Sequence, residues 1–122
     1  YIFKQNVARV RPCGDPDFFS QVRLLVDRCN MGYSFVSNHA ANHFGIATFF
    51  FLTSKPLLKY WAYIGFVWAA LIAYAQVYVG IHYPFDVTGG AMLGLLFGML
   101  TGTVFNKRHG FANFESQSTG ST

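Results

Sequence analysis

Three apolar stretches, each close to the length that crosses a bilayer, limit what this chain can fold into. They cover residues 37–53, 59–79 and 86–105, and about 20 such residues wound as a helix span ~30 Å of hydrocarbon. Composition agrees: hydrophobic residues make up 52% and charged residues 11% of the 122, against roughly 25% charged in ordinary soluble domains. The fold expected is all-α, a polytopic transmembrane helical bundle of about three spans. To these are added a helix end at the N-terminal side and a short amphipathic helix. Residues 1–105 read as the membrane core, and residues 106–122 as a basic cytoplasmic loop with a flexible Ser/Thr/Gly-rich tail.

Small residues recur every fourth position on two of the spans: Gly65, Ala69 and Ala73, then Gly90, Gly94, Gly98 and Gly102. That spacing lays a groove along one helix face for close approach of a neighbour. Ahead of the spans, residues 1–10 read as a helix end stopped by Pro12, with Lys4 and Arg11 two turns apart on one face. Asp15 before Pro16 is a capping pair for an amphipathic helix carrying Phe18, Phe19, Val22, Leu25 and Val26. Residues 54–57, with Lys55 and Pro56, read as a turn, and Ser37 as the cap of the helix that starts at Asn38.

Lys55, Lys59, Lys107 and Arg108 mark the cytoplasmic side, which puts Ser37 and His82 on the outer one. Lys4, Arg9, Arg11, Arg23 and Arg28 share that outer side, a distribution that makes sense if several bind an anion. Cys13 and Cys29 flank the polar segment there, a position suited to a disulfide in an oxidising compartment, with two free thiols as the alternative. The net charge of +4 is scattered, and no dense basic run points to a nucleic-acid partner. The chain begins at Tyr1 without a starting Met, as a fragment of something longer would.

The chemistry concentrates in AQVYVGIHYPFD, residues 75–86. An imidazole, His82, and a carboxylate, Asp86, four positions on, stand at the boundary of an apolar run, where desolvating them is expensive. A carboxylate can hold a histidine in one tautomer, with the other ring nitrogen available for attack or proton transfer. The bland alternative is a capping aspartate and a boundary histidine. At Ser37 and Asn38 the N–H groups of a helix start form an anion site, and His39 falls in the first turn. Lys4 and Arg11 add cations. Together these groups can hold a phosphate, attack it and protonate the departing oxygen, and such chemistry needs no metal.

The three elements resemble the motifs of the type 2 phosphatidic acid phosphatases, a family sharing its ancestral site with vanadium haloperoxidases. The family's first motif, Lys, six residues, Arg-Pro, is matched by Lys4 through Arg11-Pro12. Its second, Pro-Ser-Gly-His, is matched by Val36-Ser37-Asn38-His39 with Ser and His retained. Its third, Ser-Arg, five residues, His, three residues, Asp, reads here Ala75-Gln76, five residues, His82, three residues, Asp86. The resemblance implies that His82 is the nucleophile, Asp86 its orienting partner and His39 the general acid. Lys4, Arg11, Ser37 and the N–H of Asn38 would hold phosphate oxygens. It also implies a lipid phosphate as substrate, membrane lipids as surroundings and no cofactor. A bacterial inner membrane with an outward-facing site follows from the same likeness. So does a six-helix core, which helices ahead of Tyr1 or a second copy would complete.

Gln76 departs from the pattern: it stands where the family has a phosphate-binding Arg and brings hydrogen-bond donors without charge. A non-enzymatic reading therefore stays open, in which the chain binds phospholipid head groups or acts as a membrane scaffold. His39 and His43, four apart on one helix, have the spacing of a metal pair, but the glutamate of a zinc hydrolase helix is missing. Haem ligation by histidines of two spans has no other support.

Overall fold

Helix α1 (Asn38–Leu58) begins where Ser37, in extended conformation, accepts the Ala40 N–H on its Oγ at 3.4 Å. The computed structural model describes residues 6–17, 20–21, 25, 29 and 32–109, and among them the regular structure is helical. After α1 the chain reverses at Lys59, whose φ of 49° breaks the helix. A 3-10 turn over Lys59–Tyr63 leads into α2 (Ile64–Tyr78). Phe51 then meets Tyr63 and Phe66 at ring separations of 4.8 and 5.6 Å, and Gly65 lies against Ala47. α2 is therefore folded back antiparallel on α1.

Helix α3 (Pro84–His109) follows a short turn and lies beside α1 in the same direction. Gly90 rests on Ser37 and Ala40, Gly94 on Ala41 and Gly45, Gly98 on Gly45 and Thr48, and Gly102 on Phe49 and Leu52. Each step of four along α3 meets a step of about four along α1, so the small-residue groove read from the sequence is the α1–α3 seam. At Gly98 a methyl group would stand 2.6 Å from the Gly45 carbonyl oxygen, so only glycine permits this approach. Gly65, Ala69 and Ala73 form a second strip: Gly65 meets Ala47, and Ala69 and Ala73 are buried.

The interior holds small and polar side chains, among them Ser34, Ser37, Thr48, Thr53, His82 and Asp86. The large apolar ones face out, as with Trp61 at 71% exposure and Phe85 at 77%. Water would penalise that arrangement, whereas hydrocarbon favours it, since lipid-facing surface is apolar and helix contacts use small residues. The runs Asn38–Tyr78 and Pro84–His109 are each long and apolar enough to cross a membrane, and the first is doubled at Lys59. Thr48 and Thr53 return their hydroxyls to the carbonyls of Phe44 and Phe49, at 2.7 and 2.9 Å, so neither is left unsatisfied.

Several boundaries differ from the sequence reading. α1 passes through Pro56 to Leu58 in place of a turn over 54–57; Asn106 Nδ2 donates to the Leu52 carbonyl, 2.9 Å away, which Pro56 cannot serve. The basic segment from Asn106 to His109 is the last turn of α3 rather than a loop, where cations suit the negative helix end. At the other end, Asn6 and Val7 are helical but Ala8 has a φ of 43°, and Arg11 is extended. A single helical face joining Lys4 to Arg11 is thereby ruled out. Arg9 and Arg11 are drawn instead to the segment ahead of α1: the Ser34 N–H donates to Arg9 O at 2.8 Å, and Arg11 Nε to Gly32 O at 3.2 Å. The amphipathic helix after Asp15 is not helical at Ser20, Gln21 and Leu25. Asp15 does accept the Asp17 N–H, and its other oxygen accepts the Tyr83 hydroxyl. Phe18, Phe19, Val22 and Val26 lie outside the described residues, as does Lys4. Cys13 and Cys29 are joined in a disulfide, with Cα atoms 5.8 Å apart.

Candidate active site

α1 and α3 run parallel, so their N-terminal ends share one end of the bundle, while Lys55, Lys59, Lys107 and Arg108 gather at the other. The α2–α3 turn fills the first end. Gly80, with a φ of 75°, caps α2 in the left-handed conformation that suits glycine. The N–H groups of Ile81 and His82 then fold back onto the Gln76 carbonyl, at 3.3 and 3.2 Å. That return tucks His82 beneath the end of α2 with 3% of its surface exposed. Pro84 opens α3 at the position where a missing N–H costs nothing, and Asp86 follows in its first turn.

Asp86 is fully buried, a costly state for a carboxylate unless donors surround it. They do. Arg9 Nη1 stands 3.4 Å from Oδ1, while Oδ2 accepts the Tyr83 N–H at 3.1 Å and the Ser34 hydroxyl. Ser34 Oγ in turn lies 3.3 Å from His82 Nδ1. The Asp86 carbonyl accepts the Ser37 N–H at 3.0 Å, which locks the start of α1 to the start of α3. Ser37 is therefore one bond from Asp86, and Asn38 and His39 stand exposed in the adjoining first turn.

Other expected residues are partly engaged elsewhere. Arg11 is half-buried against Gly32, and burial lowers its pKa from the usual arginine value, leaving a cation at neutral pH. Gln76 is half-buried, and its carbonyl serves the His82 turn. His43 Nδ1 is 2.8 Å from the His39 carbonyl oxygen, a bond within one helical turn. Lys4 is outside the described residues.

Sequence reasoning did not single out Ser34 or Tyr83 and assigned Asp15 only a capping role. Tyr83 packs its ring 4.3 Å below the Arg9 guanidinium and donates its hydroxyl to Asp15 Oδ2 at 3.1 Å. Burial and the Asp15 partner raise the Tyr83 pKa above the usual 10.0. These contacts join residues 52 to 77 positions apart, and no local pattern announces them. A weak signal did exist for Ser34, a polar residue three before the Ser37 cap.

A family model described as the PAP2 superfamily matches residues 1–109. The chain belongs to the PAP2 superfamily. It is 33% identical over 98 residues to a lipid A 4'-phosphatase of Porphyromonas gingivalis, covering 79% of this chain and 40% of that protein. A lipid A 4'-phosphatase of Bacteroides thetaiotaomicron is 37% identical over 90 residues, covering 72% and 39%. An undecaprenyl-diphosphatase of Sulfolobus acidocaldarius is 33% identical over 93 residues, covering 76% and 42%. The chain thus spans about two fifths of the length of these curated relatives. No solved structure matches it. Membership of the PAP2 superfamily agrees with the helical, apolar-faced architecture of a membrane protein.

Proposed function

We propose that the chain carries the reacting end of an integral membrane phosphatase acting on a lipid phosphomonoester or diphosphate. The observation that carries this reading is the buried pairing of His82 with Asp86 through Ser34, set beside the N-terminus of α1. In the proposed reaction the lone pair of His82 Nε2 attacks phosphorus. The phosphorus–oxygen bond to the lipid breaks, its electron pair stays on the leaving oxygen, and His39 supplies the proton. Water then attacks the phosphohistidine, giving its proton to His39, and the phosphorus–nitrogen electron pair returns to Nε2. Inorganic phosphate leaves.

Helix-end N–H groups at Asn38, the Arg11 guanidinium and Lys4 would neutralise the charge spread over the transferring oxygens. Ser37 accepts from Ala40, so its own hydroxyl hydrogen is available to a phosphate oxygen. Asp86 stabilises the cationic ring. The reaction as written uses no metal and no cofactor. The outer face of a bacterial inner membrane is the proposed setting, because the basic helix ends gather opposite the site. Two relatives are lipid A 4'-phosphatases and one is an undecaprenyl-diphosphatase. A lipid A-type phosphate is accordingly the first substrate to assay, followed by undecaprenyl diphosphate, phosphatidylglycerol phosphate and phosphatidic acid.

Gln76 supports a second reading, a head-group binder that turns over slowly or not at all. Losing one donor to a charged transition state costs ~3–4 kcal/mol, or ~10²–10³ in rate. Phosphate release from that substrate panel, with chelator present, separates the two. The phosphatase reading expects release by the wild-type protein, more by Gln76→Arg, and none by His82→Ala. No release by either wild type or Gln76→Arg would overturn it in favour of the binder.

A further inference from the structure

Ser34 is fully buried and stands between the two groups of the proposed chemistry. Its backbone is fixed as well, since its N–H donates to the Arg9 carbonyl at 2.8 Å. Asp86 meets donors on both oxygens: Arg9 on Oδ1, and the Tyr83 N–H and the Ser34 hydroxyl on Oδ2. A carboxylate so placed accepts only, and a serine has one hydrogen to give. That hydrogen is spent on Asp86. What Ser34 Oγ then presents to His82 Nδ1, 3.3 Å away, is a lone pair. Two acceptors do not bond, so Nδ1 must carry a hydrogen.

We propose that Ser34 is a positioning residue for His82: its hydroxyl, set between the imidazole and the Asp86 carboxylate, keeps the proton of the neutral ring on Nδ1 and the lone pair on Nε2. The consequence for catalysis rests on His82 being the nucleophile. The nitrogen that attacks phosphorus is chosen by a relay through a hydroxyl rather than by the carboxylate alone. As the ring becomes cationic on forming the phosphorus–nitrogen bond, the Nδ1 hydrogen strengthens its bond to Ser34. Ser34 in turn strengthens its bond to Asp86, so the carboxylate's charge is felt at the ring through one intervening oxygen. No proton needs to leave the relay.

Nitrogen-15 spectra of the histidine-labelled full chain in detergent read the tautomer directly, with the His82 signals assigned by their loss in His82→Ala. The neutral ring of the wild-type protein is expected to be protonated at Nδ1 and unprotonated at Nε2; the reverse assignment would overturn the proposal. Ser34→Ala is expected to lose that preference and to lower kcat about 10–100-fold. KM should stay within about two-fold, because the defect lies in the chemical step. Ser34→Thr, which keeps a hydroxyl, should recover the tautomer and most of kcat. An unchanged tautomer in Ser34→Ala would overturn the proposal whatever the rate. Should Ser34→Ala fail to fold, the wild-type tautomer still decides. The spectrum needs no turnover, so it is distinct from the result that would sink the phosphohistidine reading, full phosphate release by His82→Ala.

Discussion

Asn106 donates its side-chain amide to the Leu52 carbonyl at 2.9 Å, the carbonyl that the missing N–H of Pro56 leaves without its helical partner. A proline inside a membrane helix is tolerated when a neighbour re-satisfies the freed group, and here that neighbour also ties α3 to α1. Asn106→Leu should lower thermal stability in detergent, by about 1 kcal/mol. In a Pro56→Ala background Leu52 regains its helical donor, so the same substitution should cost much less. A coupling near zero in this double-mutant cycle would show that the two features are independent.

The α1–α3 seam depends on absent side chains. A methyl on Gly94 would run into the Ala41 carbonyl oxygen and stand 2.9 Å from the Gly45 nitrogen. Gly94→Ala should therefore cost about 1–3 kcal/mol and reduce activity, since the seam sets Ser37 against Asp86. Met92, 63% exposed on the same helix, is the control: Met92→Ala should leave melting and activity nearly unchanged. Equal melting temperatures for the two variants would contradict the close approach.

That seam was legible in the sequence because a four-residue repeat of small side chains is a local pattern with one physical use. The Ser37 cap was legible for the same reason. The reversal at Lys59 was misplaced to Pro56, because proline breaks an isolated helix and the rescue comes from Asn106, 54 positions away. Likewise His82 and Asp86 stand out by type and spacing. Ser34, which joins them, and the pairing of Arg9 with Asp86 become visible only when segments 48 to 77 positions apart are folded together. The expected continuity of Lys4 and Arg11 on one helix failed because local helix geometry lost to these long-range bonds.

Arg9 pairs with Asp86 and covers the Tyr83 ring, the residue after His82. Arg9 thus brings a guanidinium to the carboxylate near His82, whereas Gln76 brings no charge. Arg9→Ala should reduce phosphate release about 10–100-fold, with Arg9→Lys intermediate because it loses the planar fork. The loss should shrink when Gln76→Arg is also present. Equal losses in both backgrounds would mean that the two positions do not share a role.

Tyr83 gives the fold an alkaline limit. Its pKa is raised by burial and then by the hydrogen bond and charge of Asp15. A group whose folded-state pKa is raised contributes its stability in full below the unfolded value, and loses it as pH rises through the folded value. Wild-type melting should hold below about pH 10 and fall above it. Tyr83→Phe lacks the Asp15 bond at every pH, so its curve should start lower and converge on the wild type. Parallel curves would contradict this assignment.

Whether a phosphoryl group is carried on His82 is tested most directly by trapping with a substrate labelled at phosphorus, quenched in alkaline detergent and followed by peptide mapping at alkaline pH. The account predicts an acid-labile, base-stable label on the peptide containing His82 in the wild-type protein and in Gln76→Arg. It predicts no label in His82→Ala. Turnover of the substrate with the label absent from that peptide, or with label persisting in His82→Ala, would contradict it.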